Sequence, residues 1–320
     1  MKKSTGSFVC CAVLSLTASC VTNAISAEEY YSIGAAYFDM GKYEEAERWF
    51  TRASSEKKTM NASEYNLGRI AFETGRYSDA LRHFEKLIKL DPENVMALKS
   101  AAYSEIKLGN LDKAEEYYAR VLELEPESTD DGYNHALVLY AMGRYDEAEV
   151  VLAKFYVKMP DNKNTLLLLA RTYRAEKKVE ALDMYALWLV DGNDPLVRYE
   201  YARLLEDFEY YARAIEEARK AANAMQSDLD VLKRNEVYWL LARLILIADP
   251  ENEDAIKELQ SAISAGFNDM EALGALAADP RVNAIVKTEI NKIIADKQRE
   301  DLEKKNKAAA AGTSSAAPAP

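Results

Sequence analysis

Cysteine is almost missing from this chain: the only three, Cys10, Cys11 and Cys20, fall at its amino-terminal end. Everything after them is without a disulfide framework or a thiolate metal site. Histidine is nearly as scarce. His83 and His135 stand apart from any second metal ligand at helical spacing, and both read as structural side chains. Twelve glycines and eight prolines in 320 residues are too few for a many-turned β fold. No phosphate-cradling glycine loop, nucleophile elbow or metalloprotease helix motif occurs. Acidic pairs such as Glu44–Glu45 and Glu115–Glu116 lie opposite the packing positions and read as solvated faces, not as an acid/base pair. These gaps argue against an enzyme and against any cofactor. Positive charge is also in deficit, with 41 Lys and Arg against 53 Asp and Glu and a net charge of −12. Generic attraction to nucleic acid or to an anionic membrane is therefore disfavoured.

The amino terminus is read separately. Lys2 and Lys3 precede the apolar run Phe8–Leu16, which is too short for a mature membrane span and has the make-up of a secretory signal. The stretch "LTASC", Leu16–Cys20, resembles a bacterial lipobox, although Thr17 stands where that motif prefers an aliphatic residue. On that resemblance residues 1–19 are the signal peptide, Cys20 is acylated, and residues 20–27 form a tether. Cleavage after Ser26 or Ala27 is the alternative. Either route takes the protein out of the cytoplasm, to the periplasmic face of a bacterial membrane as a lipoprotein or into a soluble periplasmic or secreted form.

What the chain does contain is 49% apolar residues and an abundance of Ala, Leu, Glu, Lys and Tyr, which favours helices around a sizeable core. It also repeats. "GKYEEA" at 41–46 returns as "GRYSDA", "GNLDKA" and "GRYDEA", so Gly41, Gly75, Gly109 and Gly143 are each 34 residues apart. Ile33, Gly34 and Tyr37 precede the first of these glycines at helical spacing, and Ala46, Phe50 and Ala53 follow it. Each unit is thus two antiparallel helices. Ala46, Ala80, Ala114 and Ala148 share a slot where a small side chain lets the helices approach, and Phe50, Phe84, Tyr118 and Leu152 fill the space beside it. Pro92, Pro126 and Pro160 close the second to fourth units, since proline ends one helix and suits the first turn of the next.

This pattern resembles the tetratricopeptide repeat. A fifth unit continues through Leu169-Ala170, Tyr173, Ala181 and Tyr185, with one residue missing from its inter-helix turn at Lys177–Lys178. A sixth uses Tyr201-Ala202, Tyr211, Ala214 and Ala218. A seventh follows an insertion near Gln226–Arg234 and uses Leu241-Ala242, Ala255, Leu259 and Ala262. The resemblance implies an all-α, right-handed superhelical solenoid of about seven helix pairs over residues 28–266, with a C-terminal capping helix. Residues 267–307 are read as capping helices and a charged helix, and residues 308–320 as a disordered low-complexity tail.

The resemblance also implies a concave surface lined by the first helix of every pair. Its ligand-facing slots hold Tyr31, Tyr65, Tyr133, Tyr199 and Trp239, then Arg69, Tyr103, Arg171, Arg203 and Arg243, then Phe72, Tyr140 and Arg174. Much of the complement of 20 tyrosines falls here. Tyrosine and arginine carry interface energy well because each joins contact area to directional donors. The competing reading has the aromatics packing between units and the arginines pairing with Glu64, Glu73, Glu200 or Glu206. The chaperone-type carboxylate clamp of the family is not matched, since Tyr31 and Ala35 occupy its first slots. The expected function is a non-enzymatic scaffold of the cell envelope that binds protein or peptide, an acidic-aromatic segment above all. The alternative is a solute-binding subunit of an envelope transporter that holds an anionic or aromatic small molecule.

Overall fold

In the computed structural model residues 25–314 are described; the expected signal, its lipobox with Cys20 and the last residues of the tail lie outside them. All regular structure among the described residues is helical. The chain divides into two compact units at Leu124. The first contains three pairs: α1 (Ala27–Asp39) with α2 (Tyr43–Ala53), α3 (Lys57–Glu73) with α4 (Tyr77–Leu90), and α5 (Val95–Leu108) with α6 (Leu111–Leu124). The second opens with α7 (Thr129–Ala141) and α8 (Tyr145–Lys158), then α9 (Lys163–Ala175) and α10 (Glu180–Trp188). It continues with α11 (Pro195–Asp207) and α12 (Tyr211–Ala224), and α13 (Arg234–Ala248) and α14 (Asp254–Ser264), before the closing α15 (Met270–Ala278) and α16 (Ala284–Ser314). No described helix is long and apolar enough to cross a membrane.

Small residues set the pairing distance, as the sequence pattern requires. Ala46, Ala80, Ala114, Ala148, Ala181 and Ala214 are all fully buried, and the rings of Phe50 and Phe84 are buried beside them. Those rings lie against the glycines of the first helices. A Cβ on Gly68 would meet the Phe84 ring at 2.6 Å, and one on Gly34 would meet Phe50 at 3.0 Å. The helices begin where short polar side chains satisfy their first N–H groups. Ser26 forms a capping box with Glu29, while Asn94, Asn162 and Asp194 accept from the opening turns of α5, α9 and α11.

The turn inside the pair is the same six times. Lys42 N donates to Tyr37 O, Arg76 N to Ala71 O, Asn110 N to Glu105 O, Arg144 N to Leu139 O, Lys178 N to Tyr173 O and Tyr210 N to Leu205 O. The residue before each donor is left-handed. Glycine fills that place four times, but Lys177 (φ 58°) and Glu209 (φ 62°) fill it in the fifth and sixth pairs. Lys177 therefore stands 34 residues after Gly143, and no residue is missing from the turn itself. The deletion is absorbed one step later. Ala181 N and Leu182 N bond three residues back, to Lys178 O and Val179 O, where the equivalent Ala46 N bonds four back to Lys42 O. A tightened first turn of α10 replaces the lost residue.

A side chain in the left-handed region costs more than glycine's extra chain entropy. Lys177→Gly and Glu209→Gly are each expected to stabilise the protein by about 0.5 kcal/mol, whereas Gly75→Ala should destabilise it by about 1 kcal/mol. The free space around Gly75 makes that contrast a backbone effect alone. Urea unfolding of the three variants decides it, and a lower midpoint for both glycine substitutions would refute the assignment.

The insertion before the seventh pair is anchored, not loose. Leu232 is 1% exposed and packs with Met225, Val237 and Ala221, and Leu229 N bonds Leu232 O. Leu273, Leu276, Val282, Val286 and Ile290 then close the core of the second unit. Helix α16 extends to Ser314, past the expected boundary at 307, so residues 308–314 are helical instead of tail. The four consecutive alanines at 308–311 have the highest helix propensity of any residue, which outweighs the low complexity of the stretch.

Candidate functional site

In the first unit the expected slots form a connected aromatic and polar surface. The Tyr31 ring meets Phe50 edge-on at 5.3 Å, and its hydroxyl accepts from Asn66 Nδ2 at 3.1 Å. One repeat later the pattern recurs: Tyr65 tilts against Phe84 at 5.7 Å, and its hydroxyl lies 3.4 Å from Ser100 Oγ. Tyr31 and Tyr65 thus bridge consecutive pairs with their polar tips. Arg69 lies 4.3 Å above the Phe38 ring and donates to Asn66 Oδ1. It is exposed and has no ion pair among the described residues. Glu64 takes His83 (2.7 Å) and Lys86 (2.8 Å) from α4 instead. Burial pushes its pKa up, but those two donors outweigh it and the net shift is downward. Phe72 contacts Tyr77 and Tyr103 at 5.2 and 5.7 Å, and Tyr103 is 48% exposed.

In the second unit the arginines separate into two kinds. Arg171 makes a bidentate pair with Glu200, Nε to Oε2 and Nη2 to Oε1, both at 3.0 Å. Arg243 does the same with Glu206 at 2.6 and 2.8 Å. Arg174 and Arg203 have no carboxylate partner among the described residues. Arg203 is exposed, and Arg174 lies beside the Tyr185 hydroxyl, whose pKa its charge lowers. Tyr185 in turn donates to Glu200 Oε2 at 3.0 Å. Burial first, and then the neighbouring Glu200 charge, push the Tyr185 phenol well up. Desolvation lowers the pKa of Arg171, but Glu200 more than offsets it and the net shift is upward.

Tyr140, Arg171 and Arg174 come together in one open cavity of about 580 Å³, lined also by Leu196, Glu200 and Val231. Its charges sum to one positive: two guanidiniums against one carboxylate. Burial raises the Tyr140 phenol, so that hydroxyl stays a donor at neutral pH. Trp239 and Arg243 line a second, smaller cavity of about 360 Å³ with Ala272, Ala275 and Leu276 of α15. The indole is stacked on Phe267 at 4.5 Å. Tyr133 and Tyr199 are partly buried against the apolar core, and Arg203 stands outside both cavities. Sequence reading missed Tyr185, Leu196 and Val231. Tyr185 was assigned to the core, where it also belongs, and Val231 comes from the insertion, which has no slot in the repeat.

Tetratricopeptide-repeat family models match residues 27–58, 65–129 and 129–155. Similar solved structures agree in fold. A tetratricopeptide-repeat protein from Parabacteroides merdae is 20% identical over 84% of this chain and 98% of its own, with a TM-score of 0.56. Pseudomonas aeruginosa pilF is 19% identical over 74% of this chain and 97% of its own, with a TM-score of 0.51. YrrB, described as a tetratricopeptide-repeat protein with an unusual peptide-binding site, is 18% identical over 60% of this chain and 96% of its own, with a TM-score of 0.51. No curated protein matches the sequence.

Proposed function

The chain is a tetratricopeptide-repeat protein and so a protein-interaction scaffold, and on that premise we propose that it binds acidic, aromatic-rich peptide segments along the first helices of its pairs. The observation that carries the reading is the cavity holding Tyr140, Arg171 and Arg174. It has apolar walls at Leu196 and Val231 and a local charge of plus one in a chain of net −12. Arg174 there can accept a carboxylate in its planar fork while Tyr140 and the aliphatic walls cover an apolar neighbour. Arg69 over Phe38 offers a similar cation beside aromatic surface in the first unit. No catalytic step is part of this reading. A lipid on Cys20 would hold the scaffold at the periplasmic face of a bacterial membrane, and a mature terminus at Ala27 or Glu28 by mass spectrometry would remove the anchor.

Peptide display on the immobilised full chain tests the binding. Enriched peptides should carry Asp or Glu beside an aromatic or aliphatic residue. Arg174→Ala with Arg203→Ala should weaken them by at least about tenfold, or 1.4 kcal/mol, without loss of helicity. Equal binding by the variant would sink the assignment. A saturable small anion that depends on Arg174 and two or three adjacent side chains would favour the solute-binding reading instead, since an extended peptide contacts many units.

A further inference from the structure

The seventh pair carries a second concentration of donors. Arg234 and Tyr238 of α13 line a cavity of about 450 Å³ with Lys257, Gln260, Ser261 and Ser264 of α14 and the Ala265 that follows it. No carboxylate lines it, although acidic residues outnumber basic ones 53 to 41 in the chain. Several other cations set between helices are neutralised from the neighbouring element: Arg76 by Glu47, Lys86 by Glu64, Arg198 by Glu217. Arg234 and Lys257 are not in any ion pair among the described residues.

The donors in this cavity also have capacity to spare. The Arg234 guanidinium makes one bond, from Nη2 to the Tyr238 hydroxyl at 3.3 Å, and its Nε has no partner. Because Tyr238 accepts that bond, its own proton remains to be donated. Ser261 Oγ is turned back on Lys257 O at 2.9 Å, and Gln260 reaches Glu289 of α16 at 3.4 Å. Glu289 places negative charge beside Gln260, so an anion is drawn toward the Arg234 guanidinium. The helix terminus does not supply the site, because the Asp228 carboxylate already takes the Arg234 backbone N–H at 2.8 Å. Side chains do.

We propose that this cavity is a binding site for a phosphate group, presented either as soluble phosphate or as a phosphomonoester lipid headgroup. Two cations, a phenol and a hydroxyl lining one cavity that has no carboxylate in its wall suit an oxyanion of two negative charges. The volume exceeds a bare phosphate and leaves room for what carries it.

The full chain is titrated by calorimetry with inorganic phosphate in sodium chloride, and floated with phosphatidylcholine vesicles with and without phosphatidic acid. Arg234→Ala/Lys257→Ala should weaken phosphate binding at least about tenfold, while Lys297→Ala/Arg299→Ala, which removes the same charge from α16 at residues paired with Glu300 and Asp296, should leave it unchanged. Affinity should fall from pH 7.5 to 5.5 as the probe loses its second negative charge. Circular dichroism shows that both variants are folded. Saturable phosphate binding lost only in the cavity variant supports a soluble ligand. Flotation that needs phosphatidic acid and is lost only in the cavity variant supports a headgroup. Absence of both, or equal losses in the two double variants, overturns the site.

Discussion

Phe84→Ala is expected to destabilise the protein by about 3–5 kcal/mol, a large part of the stability of an ordinary domain. The ring is 1% exposed and lies against Gly68, whose missing Cβ makes the space for it. Tyr65 tilts onto its other side at 5.7 Å. Truncation leaves a cavity whose floor is a glycine, and a residue without a side chain cannot collapse into it. The geometry also fixes the sign of a second experiment. Gly68→Ala alone overpacks, since its Cβ would stand 2.6 Å from the Phe84 ring, and should cost about 1–3 kcal/mol. Combined with Phe84→Ala, the same methyl enters the cavity, so the double variant should be more stable than the sum of the two losses predicts. Tyr103→Ala serves as the comparison, because that ring is 48% exposed and its loss should cost far less. Urea unfolding followed by circular dichroism reads all four. A Phe84→Ala loss below about 1 kcal/mol would show that the pair closes without the ring-over-glycine contact.

The slots that meet there were legible in the sequence, since the 34-residue spacing puts Phe50 and Phe84 beside Ala46 and Ala80, but the contact of each ring with Gly34 or Gly68 was not. The left-handed turn was legible only where glycine marks it. Lys177 and Glu209 adopt the same conformation without the signal, so the one-residue deletion was assigned to the turn when it lies in the first turn of α10. Contacts between successive pairs were harder again. Arg171 reaches Glu200 across 29 residues and Arg243 reaches Glu206 across 37, and these separations depend on the length of each connecting segment. Glu64, Glu200 and Glu206 were all candidates for the arginines of the face; two serve them, and Glu64 turns to α4 because His83 and Lys86 approach it there. Val231 in the insertion could not be placed at all, since a segment outside the repeat has no register to read.

Glu200→Ala is expected to cost about 2–4 kcal/mol, because the carboxylate holds three donors at once. Arg171 uses Nε and Nη2, and Tyr185 adds its hydroxyl to Oε2, all at 3.0 Å. Tyr185 is fully buried and stacks on Tyr201 at 5.9 Å, so its hydroxyl cannot turn to water when Glu200 is lost. The side chains of Arg171 and Glu200 are 32% and 16% exposed, which keeps the expected loss under that of a fully buried pair. Tyr185→Phe removes one bond of the three and should cost about 1 kcal/mol. In a cycle with Arg171→Ala, the double variant should lose less than the sum of the singles by at least about 0.5 kcal/mol, since each single substitution strands the other charge. Additive losses would mean that solvent already satisfies both groups. The same substitution should move binding in the other direction. With Glu200 gone the cavity carries two uncompensated guanidiniums, and an acidic peptide that uses Arg174 should bind more tightly to Glu200→Ala than to the parent protein, with the gain shrinking as salt is raised. A variant that unfolds more readily but binds more tightly would separate the two roles of this network: Glu200 stabilises the stack by neutralising Arg171, and in doing so limits the charge that the face presents to a partner.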